Sequence, residues 1–280
     1  MTLPRIHRGR RGITLLDLIV VLVLLPFLVL AVSCWRRTSH GDGSRVKCAS
    51  NLKQIGMAIL LYSNENKGAY PRTVAASGET VTPTWGTGIT SAKPFEEGGP
   101  DANDVSAAMF LLLRTQDITS EVFTCPSRMT EKDTYGGGTN SALDRSNFSD
   151  LKKNLSYSYQ NPYPNDGAIR RKFVLNSSIT AEFAVASDMN PGVKGGKDNV
   201  LGVTTTSSAA QMKMANSANH DRDGQLVLYG DGHVEFQQNP FVGVQRDNIF
   251  TTKLASTGFT GGLVIASPFD GGDSILLPCD

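Results

Sequence analysis

Toward the C-terminal end, the stretch "NHDRDGQLVLYGDGHVEF" brings His220, Asp221, Asp223, Asp231, His233 and Glu235 close together in sequence. An enzyme or metal reading of this chain has to start here. Hard carboxylate oxygens are dense in the stretch, so Asp221, Asp223 and Asp231 form a candidate calcium set. A hydrolytic or transition-metal site built on the histidines is the rival chemistry, and no motif supports it. There is no Ser-His-Asp order, no H-E-x-x-H and no G-x-S-x-G. The plainer reading is a hairpin turn at Gly230-Asp231-Gly232, followed by a solvent-facing strand. Placing Asp231 in the turn breaks the alternation that would align it with His233 and Glu235. The triple glycine at 136–138 lacks the Lys-Ser/Thr of a phosphate-binding loop and reads as a loop. No residue is assigned a catalytic role, and no enzymatic activity is expected.

Cysteines 34, 48, 125 and 279 show no CxxC or Cys-His spacing, so no zinc motif is present. With a net charge of +1, the chain offers no strong field to recruit nucleic acid.

The elements that position these residues change period along the chain. Cys48, Leu52, Ile55, Ile59 and Tyr62 make one stripe of an amphipathic helix, with Ser44 as its N-cap and Gly68 and Pro71 as its stop. Residues 77–104 read as a long loop. Asp104 caps a second helix that buries Val105, Ala108, Met109, Leu112 and Leu113. After it, "EVFTC", "LSYSYQN", "KFVLN" and "EFAVAS" read as short strands, and "QLVLYGDGHVEF" as a hairpin. Helices first and strands later, without βαβ alternation, predict an α+β fold with an antiparallel sheet.

The N-terminus carries a different signal. Arg5, Arg8, Arg10 and Arg11 precede an apolar run from Ile13 to about Ser33, long enough for a bilayer core. The basic flank orients that run as a single-pass helix of the cytoplasmic membrane, with the N-terminus cytoplasmic and the remainder periplasmic or at the cell surface. Trp35, beside Arg36 and Arg37, suits the headgroup level. A cleaved secretory signal fits less well, because its apolar region is usually about 7–15 residues. Inside this run sits Asp17, which costs roughly 2.5–3.5 kcal/mol at a bilayer centre and is therefore functional by default. Gly41 and Gly43 lie between the run and the amphipathic stripe, and favour a break there.

Gly12 followed by Ile-Thr-Leu-Leu-Asp17 resembles the type IV prepilin processing site, usually G-F-T-L-x-E. The resemblance implies that prepilin peptidase cuts between Gly12 and Ile13 and methylates Ile13. It also implies that Asp17 is the acid that pairs with a neighbouring subunit's terminal amine during assembly. Two departures are visible: Ile replaces Phe, and Asp replaces Glu, which shortens the reach by one methylene. "VKCASNLKQIGMAILLYSNENKGAYP" is similar to the segment after the spanning helix in pseudopilin-like proteins of planctomycete-type bacteria. "FTCPS" and "YSYQNPY" also fit that group. "ANHDRDGQLVLYGDGHVEF" resembles its C-terminal H-x9-DG signature, here with ten residues between His220 and Asp231. Together the matching stretches cover about a third of the chain.

The family implies a leader at 1–12, a transmembrane helix at 13–34, a linker and amphipathic helix at 35–72, and a pilin-like α+β domain at 73–280. The H-x9-DG-like segment lies at about 219–236. Implied partners are prepilin peptidase, other pilin-like subunits, an inner-membrane assembly platform and membrane lipid. Because Cys48 and Cys125 both fall in the family-like segments, a disulfide between them is expected. Some members bind calcium, which adds to the interest of the Asp221, Asp223 and Asp231 set. The expected function is a structural subunit of a type IV pilus or type II secretion filament. The alternative is a membrane-anchored extracytoplasmic binding protein that does not polymerise.

Overall fold

A computed structural model describes residues 15–195, 198–254 and 262–280. Two compact units are present, Met1–Gly43 and Ser44–Asp280. Helix α1 is assigned over Leu15–Glu65 with Pro26 inside it, and no interruption occurs at Gly41 or Gly43. Ser44 therefore lies within the helix and is not a cap.

In the first unit, Leu15, Leu16, Leu18–Leu25, Phe27 and Leu28 are all exposed, so apolar side chains surround the helix. Among the described residues no helix is long and apolar enough to cross a membrane. The span expected over 13–34 starts outside the described residues, as do the side chains of Asp17 and of residues 29–34.

The second unit is α+β. The expected stripe of α1 is buried, with Cys48, Leu52 and Ile55 fully enclosed. The helix stops where Lys67 and Gly68 turn to positive φ and Gly68 N–H donates to Ser63 O at 2.7 Å. Helix α2, Val105–Thr115, is capped by Asp104, whose carboxylate accepts from Ala107 N, Ser106 Oγ, Thr87 N, Thr87 Oγ1 and Asn147 Nδ2. That network ties the long loop before α2 to its N-terminus.

The strands are β1 Tyr157–Gln160, β2 Ala184–Asp188, β3 Val193–Gly195, β4 Asp198–Asn199, β5 Gln225–Tyr229, β6 Val234–Gln237 and β7 Leu276–Leu277. Five of them form one sheet in the order β6-β5-β2-β1-β7, and β3 pairs with β4 separately. Among the described residues every pairing between these strands is antiparallel; Tyr157 sits opposite Asp188, and Ser187 opposite Val227. Both faces are covered. Leu226 and Leu228 join the core built on α1 and α2, while Val227 and Tyr229 join a second core with Phe241, Ile249 and Phe250. The β5–β6 hairpin forms at the expected place, with Gly232 at φ +85°. Gly230 is required for a different reason: a Cβ there would lie 2.3 Å from Thr180 O.

Two expected strands are not strands. "EVFTC" contributes to a 3-10 turn, Ser120–Phe123, because Val122 N–H and Thr124 N–H bond locally to Thr119 and Glu121 carbonyls. "KFVLN" is irregular, since Phe173 N–H closes the preceding helical turn on Ala168 O and only Asn176 bridges Ala69.

Below the second core, the Asp247 and Asp273 carboxyls are buried near Lys253 and Asp270. Asp273 accepts from Thr252 Oγ1, Lys253 N and Phe269 N, and Asp247 accepts from Ser274 N. Burial pushes Asp273 up to about 6, and burial together with Asp273 raises Asp247 well above the usual carboxylate range.

Two outcomes follow. An acid whose pKa is raised by folding stabilises most fully below its unfolded value, and that contribution is lost as pH rises through the folded value. Thermal midpoints should therefore fall between pH 4 and pH 7, and Asp273→Asn should flatten the slope. At the α1–β5 contact, a Cβ on Gly56 would lie 2.8 Å from Leu228 Cδ1. Gly56→Leu should destabilise by about 1–3 kcal/mol in chemical denaturation, as overpacking does.

Candidate functional site

Asp188 closes β2 and points its carboxylate at the turn that enters β5. Its Oδ2 accepts from Leu226 N at 2.7 Å, and its Oδ1 accepts from Asn219 Nδ2 at 2.8 Å. The turn is a short 3-10 segment, Ala218–His220, started by Ser217 and ended by left-handed backbone at Asp221 and Arg222. That sharp reversal tucks His220 inside at 4% exposure and leaves Asp221 outside.

The His220 ring is held from several sides. Nδ1 lies 3.2 Å from Ser127 Oγ. Nε2 lies 3.2 Å from Asp188 Oδ2, but off the hydrogen-bonding direction, so this buried nitrogen has no hydrogen-bond partner. The ring edge meets Phe236, and the Arg45 guanidinium sits 4.4 Å over that same phenyl ring. Beside His220, Cys48 of α1 and Cys125 are joined in a disulfide with a Cα–Cα separation of 5.4 Å. The bridge spans 77 residues, worth on the order of 4 kcal/mol in the chain-entropy model. Cys279 is a free thiol, raised by burial. Arg128 completes the rim, with a bidentate pair to Asp280 and a 3.3 Å bond to Asn219 Oδ1.

The candidate calcium residues do not converge. Asp223 is held below the usual carboxylate range by its bond to Lys213 at 2.6 Å, with Arg45 on its other oxygen at 3.2 Å. Asp231 faces its own hairpin, accepts from His233 N and contacts the His233 ring, and is lowered by those bonds. Two carboxylates are thus already engaged by positive or donating groups. Among the described residues the one group of three metal-capable side chains is Cys48, Cys125 and His220. Glu235 lies exposed on β6, where Oε2 accepts from Gln237 Nε2.

Ser127, His220 and Asp188 are in the order of a nucleophile, base and acid. They do not form a proton relay, because the Nε2 contact with Asp188 is misaligned. The arrangement is a buried clamp uniting α1, β2, β5 and the Cys125 loop. Sequence reasoning singled out His220 but missed Asp188 and Ser127. Asp188 ends an ordinary strand, and only the β2–β5 pairing reveals its role.

Gly12 and Ile13 lie outside the described residues. Asp17 is helical within α1, and its side chain is outside them too. Comparison with family models, curated proteins and solved structures finds no match to this chain.

Truncating Asp188 would strand the Leu226 N–H and the Asn219 amide in the interior. Asp188→Ala should cost about 3 kcal/mol in urea unfolding, the range for lost hydrogen bonds to a charged group. Asp223→Ala, on the exposed rim, should cost under about 1 kcal/mol.

Proposed function

We propose that this chain is a type IV pilin-like or type II secretion pseudopilin-like subunit, structural rather than enzymatic. Prepilin peptidase would cut between Gly12 and Ile13. Residues 13–34 would then hold the chain in the cytoplasmic membrane, with the α+β unit periplasmic or at the cell surface. The observation that carries the reading is Gly12-Ile-Thr-Leu-Leu-Asp17 at the head of an apolar helix. The all-round exposure of apolar side chains over Leu15–Leu28 supports it, because such a helix needs lipid or apolar partners. The Cys48–Cys125 disulfide supports an oxidising compartment for the second unit. Asp17 supplies a reason to assemble: a carboxylate in low dielectric is stabilised by a partner cation, here the Ile13 amine of the next copy.

Mass spectrometry of the mature N-terminus tests processing. The expected species starts at N-methylated Ile13, and Gly12→Val should retain the leader; an unchanged mature mass in that variant refutes cleavage there. Cross-linking and shearing at matched membrane levels test assembly. Asp17→Ala should insert as well as the parent and lose multimers, whereas Asp17→Glu should match or exceed the parent. Equal multimer yield from Asp17→Ala would instead favour an anchored binding protein that does not polymerise.

A further inference from the structure

The clamp around His220 holds more chemistry than a structural disulfide requires. Both sulfurs and one ring nitrogen lie within 4.8 Å of one another, and all three residues are buried. In addition, the Nε2 atom of His220 is buried without a hydrogen-bond partner, which costs free energy and leaves a ligand atom unused. We propose that in the reduced chain Cys48, Cys125 and His220 bind Zn2+. The tie between α1 and the Cys125 loop then exists in two forms: a thiolate–imidazole zinc centre while the chain is reduced, and the disulfide once the unit meets oxidising surroundings.

The geometry suits that exchange. A tetrahedral zinc about 2.3 Å from each sulfur sets the sulfurs roughly 3.8 Å apart. Opening the disulfide lets the sulfurs separate toward that distance, and the nitrogen needs to approach by only about 1 Å. With the unpartnered Nε2 as the ligand, Nδ1 keeps Ser127 Oγ at 3.2 Å. Such outer partners fix the ring of a ligating histidine. Charge selects the ion. Two thiolates and a neutral imidazole cancel Zn2+, whereas Cu+ would leave a net negative charge in an enclosed site. The Asp188 charge is already met by the Leu226 and Asn219 donors.

The conversion balances with a dithiol reductant. Thiol–disulfide exchange breaks the Cys48–Cys125 bond and leaves two thiols, while the reductant becomes its own disulfide. Zinc then displaces one proton from each thiol. Exchange with a disulfide oxidant reverses the step: the Cys48–Cys125 bond re-forms, the oxidant leaves as a dithiol, and Zn2+ is released. Cys48 and Cys125 have no exposed surface, so the ion enters when the clamp opens or before it closes, and a water admitted with it fills the fourth position.

The test uses the full chain in detergent with Cys34→Ser and Cys279→Ser, reduced by a phosphine and titrated anaerobically with Co2+. A thiolate-to-cobalt charge-transfer band should saturate at one equivalent, vanish on adding one equivalent of Zn2+, and be absent from the oxidised chain. His220→Gln should weaken Co2+ binding at least tenfold. No saturable band in the reduced parent, or equal affinity in folded His220→Gln, overturns the proposal. Should His220→Gln not fold, X-ray absorption of the zinc-loaded parent decides. Two sulfurs with an imidazole are expected, and a shell lacking either refutes the site.

Discussion

The Asp188 carboxylate is the point on which the second unit depends. It sits at the end of the sheet's central strand and satisfies the backbone of β5 and the side chain of Asn219. It also stands against His220, which in turn touches the Cys125 loop through Ser127. A buried charge is tolerated only when its lone pairs are filled, so these segments have little freedom to rearrange independently. The disulfide adds a covalent restraint from α1 to the same spot. Helix, hairpin and strand are thus registered against one another by one polar centre inside an otherwise apolar core.

What the sequence revealed follows from how local each signal is. The stripe from Cys48 to Tyr62 is readable because a helix face repeats every few residues, and its burial matches the spacing. The Asp104 cap and the β5–β6 hairpin are readable for the same reason. "EVFTC" misleads because its apolar residues are buried by a 3-10 turn, and period alone cannot separate that from a strand. Strand β7 pairs with β1 across more than a hundred residues, and nothing near Leu276 announces it.

The site was half legible. His220 stood out by type, and the H-x9-DG resemblance drew attention to its neighbourhood. Its partners come from distant segments, so no spacing rule connects Cys48, Cys125 and His220. The same argument explains the failed calcium set. Asp221, Asp223 and Asp231 are close in sequence, yet left-handed backbone turns Asp221 outward, Lys213 and Arg45 take Asp223, and Asp231 serves its own hairpin. Density of carboxylates in a stretch is a weak guide when cations from elsewhere reach them first.

The sheet ends on both sides in edges that discourage growth. One edge strand, β7, has only two residues, and the other, β6, is four residues long with Glu235 on its exposed surface. Short and charged edges make poor templates for strand addition. Copies of this chain at high local concentration would therefore resist runaway cross-β stacking. Any association would have to use surfaces away from the main-chain ladder.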